Sequence, residues 1–360
     1  HAAPGHGAEP SPNLTSSRPP PPEDPSDAIS LSDGAVTVRV RRDFPQVIDY
    51  TVGHAHLAGR IGSPLTKVRI NGTDRVATVS APKTTDTSAS WKLTFHDLPG
   101  VELTTHVEIA DGVMTWSIPH IVDTANHRVN TVSVPGLALA SVTSTDPKAQ
   151  LSSANIVVDR NKSGDLFQPL ATTDVSRGTS WVAMANDSTL AAGFEDNATQ
   201  DGLVGSAATV ARFIHSISQV GGTKVGAIEP ATWVHRGKGS ATPCPSDSLG
   251  NKAVCQLPGG ATVKDGIGPD PDTPYVRVKI VADANGDGKV DWQDAAVATR
   301  GVTMKPTGSG DVANKVVTHI PFNIVSQATH PFLRTLDDVK HISLATDGLG
   351  QQALLKGYQA

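Results

Sequence analysis

Only two of the 360 residues are cysteine, three are methionine and 4% are aromatic. Two thiols cannot staple a chain of this size, so its stability must come from burying apolar side chains. The scarcity of aromatics argues against a wide stacking platform for sugars inside the fold. No apolar run approaches the roughly 20 residues that span a bilayer. Charge is sparse as well: 18% of residues are charged and the net charge is −5. That balance offers no electrostatic footprint for nucleic acid or an anionic membrane.

The space left by those residue types is filled by Gly, Pro, Thr, Ser and Val, a mix that favours extended structure with many turns. Residues 1–27 (HAAPGHGAEPSPNLTSSRPPPPEDPSD) are too polar and proline-rich to pack, and read as a disordered linker. The chain starts at His1 rather than Met, with the kind of polar stretch that comes after a removed signal peptide, which implies a secreted or cell-surface protein. Cys244 and Cys255 lie in a Pro/Ser/Gly-rich stretch without zinc-ligand spacing. They read as a disulfide closing a surface loop in an oxidising compartment, the alternative being two reduced thiols.

From residue 28 to 282 the pattern is period-2 alternation. Val36, Val38 and Val40 interleave with Thr37, Arg39 and Arg41, and Met114, Trp116 and Ile118 alternate on a later strand. Asn71-Gly72 and Asp111-Gly112 are hairpin turn signals. Repeated short strands with regular turns predict a mainly β fold, a large antiparallel β-sandwich with one polar face.

The twelve residues Asp283–Asp294, DANGDGKVDWQD, are the chain's most specific stretch. Asp283, Asn285 and Asp287 hold positions 1, 3 and 5, Gly288 the sharp turn at 6, and Lys289 offers a carbonyl at 7. Asp291 and Asp294 hold positions 9 and 12. Alternation of this kind turns many oxygens inward around a hard cation. The loop is therefore predicted to bind a structural Ca²⁺ at the seam between the sandwich and the C-terminal segment. An Asp at position 12, where an EF-hand has Glu, sets it apart. The bland alternative is an Asp/Asn/Gly-rich turn without metal.

Residues 295–360 change character. AAVATRGV reads as a short helix, 316–325 as a buried strand, PFLRTLDDVKHISLATDG as an amphipathic helix closed by Gly348, and 353–358 as a second strand. Strand, helix, strand is a βαβ unit with parallel strands. Asp337 and Asp338 read as first-turn complements of the helix dipole. Glu195-Asp196 reads as a solvated turn rather than a paired acid site, and His54-x-His56 as a structural pair rather than a metal site.

The words DANGDGKVDWQDAAVATR and SQATHPFLRTLDDVKHISLATDGLGQQALLKGYQA resemble bacterial endo-α-N-acetylgalactosaminidases, glycoside hydrolases of mucin-type O-glycans. DYTVGHAHLAGRIG, VRINGT and GVMTWSIPHI are similar to that family's β-supersandwich, itself galactose-mutarotase-like. The resemblance implies a supersandwich followed by a (β/α)₈ barrel, whose first βαβ unit would be the one above. It implies release of Galβ1-3GalNAc from Ser/Thr of O-glycosylated proteins with retention, through an Asp nucleophile and a Glu acid/base about 5 Å apart. No catalytic residue falls within this sequence; all are expected beyond Ala360, so the chain alone is expected to be inactive. Asn323, Ser326, Gln327 and Gln359, at or beyond strand ends, are candidates for the substrate rim. The competing readings are a non-catalytic, calcium-stabilised glycan-binding or scaffolding module, and a dockerin, which would need a second copy of the loop.

Overall fold

The computed structural model describes residues 27–123, 129–154, 166–172, 176–179, 182–196, 212–235, 274–303, 305, 308–312, 314–321 and 331–356. Two compact units divide at Thr303/Met304.

The first unit is a two-sheet sandwich. An eight-stranded sheet opens with the meander Ala28–Ser32, Thr37–Arg41, Val47–Val52 and Ala55–Ala58. It continues through Ala140–Thr143, Thr223–Pro230, Phe213–Val220 and Arg177–Thr179. Facing it, a thirteen-stranded sheet places Tyr275–Val281 between Ala191–Asp196 and Val113–Val122, so late and early segments of the chain lie side by side. The strands described in both sheets pair antiparallel, and the hairpin signals hold. Asn71 and Gly72 take φ of 50° and 80°, Asp111 and Gly112 of 53° and 71°. Positive φ at both central residues is the twist-matched hairpin turn, which is why Asn/Asp-Gly marks it.

Alternation places one side chain in two between the layers. Val38, Val40, Tyr50 and Leu57 from one sheet meet Trp91, Leu103, Trp116 and Val278 from the other, all buried. Three of the large rings find a carbonyl for their polar ends, the two indoles across the layers. Trp91 Nε1 donates to the Arg42 carbonyl (2.9 Å), Trp116 Nε1 to that of Pro45 (2.8 Å), and Tyr50 Oη to that of Leu139 (2.8 Å). Unmatched, each would cost about 1–3 kcal/mol of desolvation. Trp116 and Trp233 stack in parallel, centroids 5.7 Å apart.

Asp33, in the turn after the first strand, stitches the sheets at their rim. It accepts from the N–H of Ala35 and Val36 (3.0 Å each) and, from the opposite sheet's hairpin, Gly112 (2.6 Å). Burial pushes its carboxyl upward, and the backbone donors Val36, Gly112 and Ala35 together outweigh that, leaving it below the ordinary 3.8.

Glu195 and Asp196 do not form the solvated turn expected of them. They end a strand, both are buried, and Arg212 of the other sheet binds them at 3.0 and 2.6 Å. Two carboxylates beside one guanidinium form an ionic clamp between layers.

Helix α1, Trp292–Val302, lies against the Ala191–Asp196, Tyr275–Val281 and Val182–Asn186 strands and belongs to the first unit. By packing, the first unit runs on to Thr303. A small apolar patch joins them: Met184, Ala191 and Ala295, with Val182, Val281, Val290 and Ala296 around it. The approach is close because Gly193 has no side chain; a Cβ there would stand 2.3 Å from the Thr299 amide nitrogen.

The second unit, taken by itself, has strand Lys315–Pro321, helix α2 (Pro331–Ala345) and strand Gly350–Lys356. The two strands pair in parallel, Lys315 with Gly350 through Pro321 with Lys356, as a βαβ unit requires. Helix α2 begins at Pro331, so Asp337 and Asp338 fall beyond its first turn. The dipole role expected of them does not apply; Asp338 lies 3.5 Å from Arg334 one turn back instead. At the other end Gly348, with φ +81°, donates its N–H to the Ser343 carbonyl (2.8 Å) and closes the helix as expected. Val317, Phe332, Leu333, Leu336, Leu344, Leu349 and Leu354 of this unit are exposed. No described helix is long and apolar enough to cross a membrane.

The contacts at Gly193 and Asp33 each predict a stability loss. Gly193→Ala should lower the unfolding free energy by about 1–3 kcal/mol, because the methyl group must displace backbone rather than a flexible side chain. Denaturant titration checks it, and an unchanged midpoint would mean that α1 is not seated on this strand. Asp33→Ala should destabilise near neutral pH by about 1–3 kcal/mol. A lowered carboxyl stabilises above its unfolded value and loses that contribution as pH falls through the folded one. The gap between wild type and variant should accordingly close below pH 3.8.

Candidate metal centre

The Asp283–Asp294 loop connects strand Tyr275–Val281 to helix α1, two elements packed on one another. The seam it fixes is therefore inside the first unit. Gly286 and Gly288 both take positive φ, 76° and 80°, with open space where a Cβ would stand. These two glycines let the chain reverse twice within six residues.

Each acidic group is engaged with the loop's own backbone. Asp283 Oδ1 accepts from the N–H of Gly286 (2.7 Å) and Asp287 (3.1 Å), and Oδ2 from Gly288 (2.8 Å). Asn285 Oδ1 accepts from Asp287 N–H (3.1 Å), and its amide donates to Gln293 Oε1 (3.1 Å). Asp287 Oδ1 takes the Lys289 N–H at 3.0 Å. These are Asx-type turns, nested head to tail.

Asp291 and Asp294 do a second job that the metal-loop reading overlooked. Asp291 is the N-cap of α1, accepting from Gln293 N–H at 2.8 Å, and Asp294 closes the capping box by taking the Asp291 N–H at 2.9 Å. Asp294 Oδ1 also takes the N–H of Ala284 (2.7 Å) and Asn285 (3.1 Å), and the residue is fully buried. The signal was in the sequence: Asp, then Asp three residues on, before an apolar helix is a capping box with Asp for the usual Glu.

The donor chemistry fits a hard cation. Four carboxylates lie within twelve residues, and among the described residues no Lys, Arg or His side chain pairs with them. Asp283, Asn285, Asp287 and Lys289 are exposed. A carboxylate has about four acceptor sites, so the bonds above leave lone pairs for a metal. Among the described residues no three His, Cys, Asp or Glu side chains converge into a cage; the oxygens are strung along the turn.

Of the other sequence candidates, Cys244, Cys255, Asn323, Ser326, Gln327 and Gln359 lie outside the described residues. His54 and His56 are exposed on a hairpin, and His56 Nδ1 bonds Thr51 Oγ1 at 3.0 Å. One arrangement was not anticipated: Ser90 Oγ lies 2.6 Å from His106 Nδ1, and His106 Nε2 lies 3.3 Å from Glu108. Cross-strand register explains it, Ser90 being opposite His106 with Glu108 two residues along. It is not a nucleophile site, because Ser90 is held in the ladder between His106 and Lys83 and a flat sheet gathers no pair of N–H donors for an oxyanion.

Comparison with known proteins assigns both parts of the chain. Residues 31–292 match the galactose mutarotase-like fold domain, and residues 293–360 match the endo-alpha-N-acetylgalactosaminidase family. A curated Renibacterium salmoninarum protein assigned as an endo-alpha-N-acetylgalactosaminidase is 39% identical over 337 residues, 92% of this chain. The chain belongs to the endo-alpha-N-acetylgalactosaminidase family. It spans 21% of that relative's length. Among solved structures, the alpha-N-acetylgalactosaminidase NagBb of Bifidobacterium bifidum overlaps 92% of this chain and 51% of its own (TM-score 0.41, 11% identity). A galactose mutarotase-like protein of Lactobacillus casei overlaps 71% and 100% (TM-score 0.33, 9% identity). The family match spans both the sandwich and the βαβ unit, with the change from one profile to the other falling inside the metal-loop motif.

Asp294→Ala should destabilise by about 1–3 kcal/mol, from loss of the cap and of a buried acceptor for three N–H groups. Its backbone role is independent of metal, so the loss should persist with chelator present. A variant matching wild type in EDTA would remove the capping role.

Proposed function

We propose that this chain is part of a secreted, retaining endo-α-N-acetylgalactosaminidase that releases Galβ1-3GalNAc from Ser/Thr of mucin-type O-glycoproteins. The observation that carries the reading is the 39% identity running through both the sandwich and the βαβ unit. The parallel βαβ unit supports it independently. Two parallel strands and one helix leave seven large apolar side chains in solvent, a face that further βα units of a (β/α)₈ barrel would cover. In that reading the Asp nucleophile and Glu acid/base lie beyond Ala360, and Asn323, Ser326, Gln327 and Gln359 stand at the barrel's rim.

The sandwich's part is mechanical. Ca²⁺ held by Asp283, Asn285, Asp287, the Lys289 carbonyl, Asp291 and Asp294 would supply charge neutralisation to four crowded carboxylates. Asp291 and Asp294 hold the start of α1, and Gly193 lets the helix lie flush on the sheet.

Two measurements test this. A protein extended through the relative's full length should release the disaccharide from a core 1 glycopeptide, whereas the 360-residue chain should not; release by the latter would overturn the division of labour. Separately, EDTA should lower the melting temperature of the 360-residue chain by about 5 °C or more, and added Ca²⁺ should restore it. A melting temperature indifferent to both would dispose of the calcium reading and leave the enzymatic one standing.

A further inference from the structure

Of the eleven aromatic side chains described in the first unit, nine are buried or half-buried. The two that are exposed touch each other: Phe167 (42% exposed) and Trp292 (38%) meet edge to face, centroids 5.0 Å apart and planes at 64°. They are 125 positions apart in sequence. Phe167 is on Leu166–Pro169, the edge strand of the thirteen-stranded sheet, and Trp292 is the first residue of α1. Phe167 pairs with Ser152, which pairs with Met184, so Phe167 shares the sheet face on which α1 lies. Among the described residues the edge strand has no further neighbour on its outer side, which leaves the patch open along that flank.

We propose that Phe167 and Trp292 form a surface subsite for the apolar face of a neutral sugar ring, outside any catalytic barrel; the choice of ligand class rests on the O-glycan reading above. Two observations choose this occupant. The first is size. Two rings fall far short of the roughly 800 Å² per partner that a stable protein interface or dimer buries. A pyranose ring, flat and apolar on one face and ringed by hydroxyls, matches a patch of that extent. The second is charge. Trp292 follows a loop whose four carboxylates, Asp283, Asp287, Asp291 and Asp294, stay net negative even against one Ca²⁺ and the single Lys289. That surrounding disfavours an anionic ligand such as a sialylated or sulfated glycan, and suits an uncharged one. Trp and Phe held by a helix start and a strand cost little entropy on binding.

The test uses the intact 360-residue chain on immobilised desialylated mucin, with a neutral galactan surface in parallel. Wild type should be retained on desialylated mucin and less on the sialylated form. Trp292→Ala and Phe167→Ala should each weaken retention about tenfold, as truncation of an aromatic anchor does. Trp292→Tyr should keep most of it, and Val76→Ala, at an exposed apolar residue elsewhere, should change nothing. Melting temperatures of the variants separate lost contact from lost folding, and the Trp292→Tyr result is decisive should an alanine variant unfold. Equal retention of wild type and both alanine variants would overturn the subsite while leaving the O-glycan reading intact. Retention on galactan but not on mucin, abolished by the same variants, would support the subsite and remove the O-glycan reading. No retention of wild type on either surface would overturn the proposal.

Discussion

Three backbone N–H groups, those of Ala284, Asn285 and Asp291, converge on the buried carboxylate of Asp294, and the seating of α1 on the sandwich depends on that convergence. A carboxylate fully removed from water is tolerated only when its oxygens are satisfied. Here the donors come from both ends of the loop, so satisfying the charge folds the loop back onto the first turn of α1. The helix start is fixed in position, and the N-cap Asp291 fixes its direction. The outer side of the large sheet is arranged by that start, from the seat of Thr299 over Gly193 to the place of Trp292 beside Phe167.

A Ca²⁺ loop and a capped helix start ask for the same residues, which is why one motif can serve both. Oxygens at alternate positions followed by an acid at position 12 also provide an N-cap at position 9 and its capping-box partner three residues later. The ion and the backbone do not compete for one resource: N–H groups occupy some lone pairs on each carboxylate and leave others. With four carboxylates and one lysine in twelve residues, the backbone bonds organise the loop, but they do not neutralise it.

Local rules were readable from the sequence because their causes are local. Alternation of Val36, Val38 and Val40, the Asn71-Gly72 and Asp111-Gly112 turns and the periodicity of each strand and helix depend on near neighbours. The features that stayed hidden depend on partners far away. Nothing around Gly193 announces that Thr299 will rest on it, and nothing around Glu195-Asp196 announces Arg212, because the sheet order that brings them together is a property of the whole chain. Asp337 and Asp338 failed differently. The apolar periodicity located the helix, but its start at Pro331 decides which acids meet the dipole, and boundaries carry less signal than periodicity. Asp291 and Asp294 were singled out for metal-loop spacing alone, which obscured the capping-box pattern they also make.

The two units treat apolar surface in opposite ways, and that contrast bears on where chemistry can reside. The sandwich closes its core with Trp91, Trp116 and Tyr50, each with its polar end matched, so these rings keep no polar group over for reaction. Ionisable groups between the layers are consumed in clamps such as Arg212 with Glu195 and Asp196. The βαβ unit presents leucines to solvent on both helix and strand. Apolar side chains in such number are stable in water only when other surface covers them. The sandwich departs from its own pattern at Phe167 and Trp292, two rings that meet in solvent rather than in the core.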